Sequence, residues 1–152
     1  MLDPTDRAAL ADLAHRYAAG VDDRQFDRVT GLFIETAELV LPDPPGELTA
    51  VQRHRGHAAI AAAITAVAAT VRTEHAIVGQ VYDVGPQPDS ARGRIACVAH
   101  HWTRRGDQLT DVVWHLRYDD EYQRTDAGWR FARRTLTINA IETRPMRQVR
   151  SQ

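Results

Sequence analysis

The chain has 152 residues, 43% apolar and 26% charged, which suits one soluble domain with a real core and leaves little room for a second. Nineteen basic residues against twenty acidic ones give a net charge of -1, so no electrostatic footprint for nucleic acid or an anionic membrane is present. A single cysteine, Cys97, excludes an intrachain disulfide framework and a cysteine-based zinc site. No apolar run approaches the roughly 18 residues that span a bilayer. Met1-Leu2-Asp3-Pro4-Thr5-Asp6 lacks the basic-then-apolar pattern of a signal peptide, so the expectation is a cytoplasmic protein. Every basic residue is arginine, which removes Schiff-base and other lysine chemistry.

Asp3-Pro4 reads as a helix opening, an N-cap acceptor followed by a proline whose missing N–H costs nothing there. Leu10, Leu13, Ala14, Tyr17 and Val21 then form one stripe at helical spacing. After Asp22-Asp23, the spacing of Phe26, Val29 and Phe33 predicts a second helix, joined to the first as a hairpin. Glu38–Leu41 reads as a short strand, and Pro42–Arg55, with its three prolines, as a surface loop or lid. Ile60, Ile64, Val67 and Val71 recur at helical spacing in an alanine-rich run, predicting a third helix over Ala58–Val71.

The second half changes period. Thr73–Val84, Ala91–Arg104, Leu109–Arg124 and Trp129–Ile141 are rich in β-branched and aromatic residues and are separated by turn signals. Short links between successive strands make an antiparallel meander. The expected fold is therefore α+β: three N-terminal helices packed on a strongly curved, mainly antiparallel sheet, with a pocket between them. Residues 1–144 form one domain and 145–152 a polar tail. Apolar strand residues occur on both parities, which predicts a homodimer through the outer sheet face.

Strand parity names the pocket candidates. Ile95, Cys97, Ala99 and His101 share one face of their strand, opposite Arg92, Arg94 and His100. Small side chains at Cys97 and Ala99 leave space, and Trp114 and Tyr118 on the next strand supply walls. Tyr17 belongs mainly to the helical core stripe, with its hydroxyl available to the pocket. His100 and His101 point to opposite faces and cannot readily share a metal ion. His54 and His57 lack an acidic partner and read as surface, so no metal site is expected. There is no dinucleotide or phosphate loop and no nucleophile elbow, so no cofactor is expected.

Gly20-Val21-Asp22-Asp23-Arg24-Gln25-Phe26-Asp27, Arg72-Thr73-Glu74-His75 and Tyr118–Phe131 resemble the SnoaL-like families of the nuclear transport factor 2-like superfamily, over roughly residues 5–141. The branch most similar contains scytalone dehydratase and lindane dehydrochlorinase. That resemblance implies a cone-shaped fold and a catalytic pair of Asp22 with His75. It places a second pocket histidine at His101 once one loop insertion is allowed, or at His100 in a gapless count. Pocket parity selects His101. It also implies an arginine on the last strand, Arg133 or Arg134, with Arg134 the better spaced from Trp129. The pattern departs at Val21, where the dehydratase has a tyrosine, and at Leu116 and Tyr118, where it has serine and asparagine. Its substrate therefore does not carry over.

The function implied is a cofactor-independent lyase or isomerase for a small, mostly apolar cyclic substrate such as a polyketide, steroid or aromatic precursor. His75 would take a proton, Asp22 would orient it, and His101 would bond or protonate the departing oxygen. Tyr17, Cys97, Trp114, Tyr118 and Arg134 would bind the substrate. The alternative is a non-catalytic ligand-binding or accessory subunit, favoured if Asp22 and His75 lie apart or if side chains fill the cavity.

Overall fold

The Asp3 carboxylate accepts a hydrogen bond from the Asp6 backbone N–H at 2.8 Å and opens α1 (Pro4–Asp22) as a capping box. The computed structural model describes residues 1–152. α1 buries Leu10, Leu13, Ala14, Tyr17 and Val21, the stripe read from the sequence. Gly20 allows a close crossing, since a Cβ there would lie 2.6 Å from Val29 Cγ2 on α2 (Phe26–Thr30).

α2 is shorter than its spacing suggests. Phe33 belongs to β1 (Phe33–Asp43), where it pairs with Phe131 in a parallel ladder. That long-range pairing overrides the local helical pattern of Phe26, Val29 and Phe33. The expected lid is also a strand. β1 runs through Pro42 to Asp43, turns, and returns as β2 (Glu47–Arg55), an outermost strand with no fully buried residue. Prolines are tolerated there because they sit at the strand end and in the turn. α3 (Gly56–Thr65) stops earlier than expected and tightens into a 3-10 segment, Ala66–Ala69, which turns Val67 inward.

The meander holds: β3 (Arg72–Val84), β4 (Ser90–Arg105), β5 (Gln108–Thr125) and β6 (Gly128–Pro145) are successive antiparallel neighbours. Gly106 (φ 60°) turns β4 into β5, in a backbone region where a side chain would be strained. The sheet order is β2-β1-β6-β5-β4-β3, antiparallel throughout except for the β1–β6 pair. The helices cover its concave face, completing the expected α+β cone.

Ile95, Cys97 and Ala99 are buried on the inner face of β4. The outer face is more polar than the sequence suggests. It carries a depression of about 510 Å³ whose lining includes Arg92, Arg94, Asp119, Glu121 and Arg133. Its exposed apolar residues include Val78 and Val81 on β3. After Pro145 the tail has no regular structure. It runs back to α1, where the Gln152 side-chain amide donates to the Asp22 carbonyl at 3.1 Å. No helix is long and apolar enough to cross a membrane.

Candidate active site

Asp22 closes the last turn of α1, and its carboxylate is filled by β3. It accepts hydrogen bonds from Thr73 Oγ1 (2.9 Å), the His75 backbone N–H (2.8 Å) and His75 Nδ1 (2.7 Å). A carboxylate only accepts, so the proton of neutral His75 resides on Nδ1, and Nε2 holds a lone pair with no protein partner. The arrangement needs residues 51 to 53 positions apart in the chain, brought together by packing of α1 on β3. Thr73, which helps hold the carboxylate, carries no sequence signal beyond its place in the Arg-Thr-Glu-His run.

His101 is the inward histidine of the pair, as parity requires. Its ring centroid lies 6.1 Å from that of His75 and 4.3 Å from Trp114. Its Nδ1 donates to the Val112 carbonyl at 2.8 Å. Burial pushes its pKa down to about 4, so the ring is neutral and Nε2 is again a bare acceptor. His100 faces outward, bonded to Asp111 at 2.6 Å and stacked on Trp102. His57 donates from Nε2 to the Phe33 carbonyl at 2.9 Å, and His115 pairs with Glu142, so both serve structure.

Both inward histidines line a cavity of about 390 Å³ between the sheet and the helices, in which 13 of the 17 lining residues are hydrophobic. Tyr17, Trp114 and Tyr118 line it as expected. Burial raises the pKa of both tyrosine hydroxyls, which keeps them as neutral hydrogen-bonding groups. α3, the 3-10 segment and β1 contribute Ala63, Ile64, Val67, Leu39 and Leu41, apolar positions whose part in the wall local periodicity could not show.

Two expected binding residues lie outside the cavity lining. Cys97 is packed in the core at 2% exposure, and burial pushes its thiol up to about 12, leaving it inert. Arg134 is fully buried and turned to Asp120, with its guanidinium 4.3 Å from the Tyr17 ring and 3.8 Å from the Tyr118 ring. Its pKa is raised: burial works against the charge, but Asp120 more than offsets this. Arg134 thus underlies the tyrosines, and Leu136, two residues on, reaches the cavity. No three His, Cys, Asp or Glu side chains converge as a metal ion would need.

The helices on a curled mixed sheet define a nuclear transport factor 2-like α+β cone. Residues 3–135 match the SnoaL-like domain, and the chain belongs to that family. No curated protein matches the sequence significantly. Among solved structures, the chain is similar to a candidate aromatic ring hydroxylase from Novosphingobium aromaticivorans, 25% identical, with 96% of each chain covered and a TM-score of 0.78. A candidate scytalone dehydratase from the same organism is 20% identical, with 97% of this chain and 91% of that one covered and a TM-score of 0.75. The hexachlorocyclohexane dehydrochlorinase LinA-type3 from Novosphingobium barchaimii is 20% identical over 95% and 92%, with a TM-score of 0.74. The last two likenesses show the shared fold.

Proposed function

We propose that the cavity is the active site of a dehydratase- or isomerase-type enzyme that needs no cofactor and acts on a small, largely apolar cyclic substrate. The observation that carries this is the 2.7 Å bond from His75 Nδ1 to Asp22, with the ring at the wall of an open apolar cavity. An imidazole oriented in this way has its basic nitrogen free and a carboxylate ready to stabilise the imidazolium that proton capture creates.

Nε2 of His75 takes a proton from carbon beside a carbonyl. In a dehydration the C–H electrons form the double bond and the C–O bond breaks. The proton held on His75 passes to the departing hydroxide, which leaves as water. In an isomerisation the same proton returns at another carbon. Of the two roles expected for His101, hydrogen bonding is favoured over protonation, because the ring's one proton is donated from Nδ1 to the Val112 carbonyl. It acts as a hydrogen-bond acceptor.

The similar folds named as a dehydratase and a dehydrochlorinase support elimination as the reaction class. The bonded Asp22–His75 pair and the open cavity weigh against the accessory-subunit reading. The test is deuterium exchange at the carbon beside the carbonyl of β-tetralone in D₂O, followed by NMR. The wild-type protein should accelerate exchange and His75→Ala should not. Equal rates in both proteins would return the accessory reading to first place.

A further inference from the structure

We propose that the 3-10 segment Ala66–Ala69 is a door in the cavity wall, and that Arg24 is the latch that keeps it shut. The proposal rests on the cavity being the ligand site, but it does not require turnover.

Most of the wall is fixed. β1, β3, β4, β5 and β6 are held in hydrogen-bonded ladders, and α1 buries eight residues. α3 is anchored at its start, where His57 donates to the Phe33 carbonyl, and along its length by the buried Ile60 and Ile64. The 3-10 segment that follows has no buried residue, although Ala66 and Val67 line the cavity. No hydrogen bond joins Ala66–Ala69 to another element. Three of its four side chains are single methyl groups, so swinging it outward exposes little apolar area beyond that of Val67. A wall built in this way is the first to open.

Two bonds pin the far end of the segment. The Val71 N–H donates to the Trp102 carbonyl at 2.8 Å, where the chain enters β3, and this is the hinge. Arg24 Nη2 donates to the Thr70 carbonyl at 2.8 Å and to Thr70 Oγ1 at 3.4 Å. On the segment's side of the hinge, this is the one tie that comes from another part of the fold.

The latch is poised to release. Arg24 sits at φ 56°, a left-handed conformation that is strained for a residue with a side chain. Its Nη1 is buried without a partner, a donor that water satisfies once the guanidinium swings out. The closed state thus combines a made bond and an unmet donor in one side chain, and the balance favouring closure is small. Opening leaves the dyad in place, because the Arg24 backbone N–H stays on the Val21 carbonyl at 3.1 Å and Asp22 stays on Thr73 and His75. The ligand that depends on such a door is a rigid ring system. A flexible chain can thread a fixed mouth, whereas a ring cannot change its width.

The test is stopped-flow fluorescence with prodan, an uncharged naphthalene dye. Arg24→Ala should raise its association and dissociation rates together, each about tenfold, the loss of one charged hydrogen bond. The Kd should stay within about threefold, because the latch is the same in the free and the loaded protein and Arg24 does not line the cavity. Arg24→Lys should fall between. Arg7→Ala is the control: Arg7 Nη1 donates to the Tyr82 carbonyl at 2.7 Å, the same kind of tie, but neither residue lines the cavity. Its rates should match those of the wild type. The proposal is overturned by unchanged rates in Arg24→Ala, by an equal gain in Arg7→Ala, by a rise in the dissociation rate alone, or by failure of prodan to bind. Rates set by Arg24 without β-tetralone exchange would sink the enzymatic reading alone. Exchange with rates indifferent to Arg24 would sink this one alone.

Discussion

Arg134 holds Asp120 through two parallel hydrogen bonds of 2.8 Å, with neither side chain accessible to water. Tyr122 donates a third bond to the same carboxylate at 2.7 Å, and the guanidinium plane is backed by Tyr17, Tyr118 and Phe131. A buried pair of this kind costs desolvation that its mutual attraction roughly offsets, but removing one partner strands the other. The arginine is therefore a brace for the two cavity tyrosines, not a group that meets a ligand.

Arg134→Leu should lower stability by about 3–5 kcal/mol, because it leaves the Asp120 charge buried and unpaired. Adding Asp120→Leu should recover a large part of that loss. Urea unfolding of both variants measures the difference. A double variant no more stable than Arg134→Leu would show that the stranded charge is not the cause.

Asp22→Asn tests the carboxylate apart from its place. The amide keeps the size but cannot accept from all three donors that converge on Asp22. Turnover, read as β-tetralone exchange, should fall about 10²–10⁴-fold, the range for a displaced general base. Thr73→Val removes one of the three bonds and spares both bonds to His75. It should cost about 1 kcal/mol of stability and less than tenfold in rate. A larger rate loss in Thr73→Val than in Asp22→Asn would reverse the assigned roles.

How far the sequence could be read depends on the range of the interaction. The stripe of α1 and the alternation of β4 are local, and both Tyr17 and His101 were placed by them. β2 reads as a loop because an outermost strand with no fully buried residue shows no inward face, and three prolines precede it. Phe33 reads as helical because its parallel partner, Phe131, is almost a hundred residues away and leaves no local mark. The resemblance assigns Arg134 a position along the last strand, but its orientation is set by Asp120 and the tyrosines, which only the folded core brings together. Likewise the tautomer of His101 is fixed by the Val112 carbonyl, a backbone atom that no residue pattern announces.

Arg24, in the left-handed region at φ 56°, reaches from the turn after Asp22 to the Thr70 carbonyl at 2.8 Å. Thr70 ends the 3-10 segment and lines the cavity, so this one side chain ties the cavity wall to the turn that holds the dyad. Arg24→Ala should raise amide exchange at Thr70 and Val71 about tenfold, the loss of one charged hydrogen bond, with the β4–β5 ladder unchanged. Arg24→Lys should fall between, since an ammonium lacks the guanidinium fork. Acceleration spread evenly over the sheet would indicate global loss of stability and no local tie.

We propose that two copies pair through the outer face of the sheet. That face offers the exposed Val78 and Val81 beside rows of both charge signs, Arg92 and Arg94 next to Asp119 and Glu121, which suit an inverted second copy. Light scattering at micromolar concentration should give twice 17.0 kDa, and Val78→Asp with Val81→Asp should shift it toward one chain. A single-chain mass for the wild type would overturn the pairing.

The acid limb of stability should report His101. Burial holds its pKa near 4, while in the unfolded chain it returns to about 6.5. Between those values the unfolded state binds a proton that the native state refuses, so stability is highest above about pH 6.5 and falls as the pH drops toward 4. The groups acting on the ring are His75 from β3, His100 from its own strand, and Asp111 and the Val112 carbonyl from β5. Only Asp111 and the carbonyl favour its protonation, and burial outweighs both. The loss attributable to this group is about 3 kcal/mol over the whole window. Urea unfolding at pH 7 and pH 4.5 measures it: the wild type should lose about 2–3 kcal/mol more than His101→Phe. Parallel losses in the two proteins would mean that His101 takes up its proton in the native state. Its Nε2 would then be a donor, and its role as a hydrogen-bond acceptor in the cavity would have no basis.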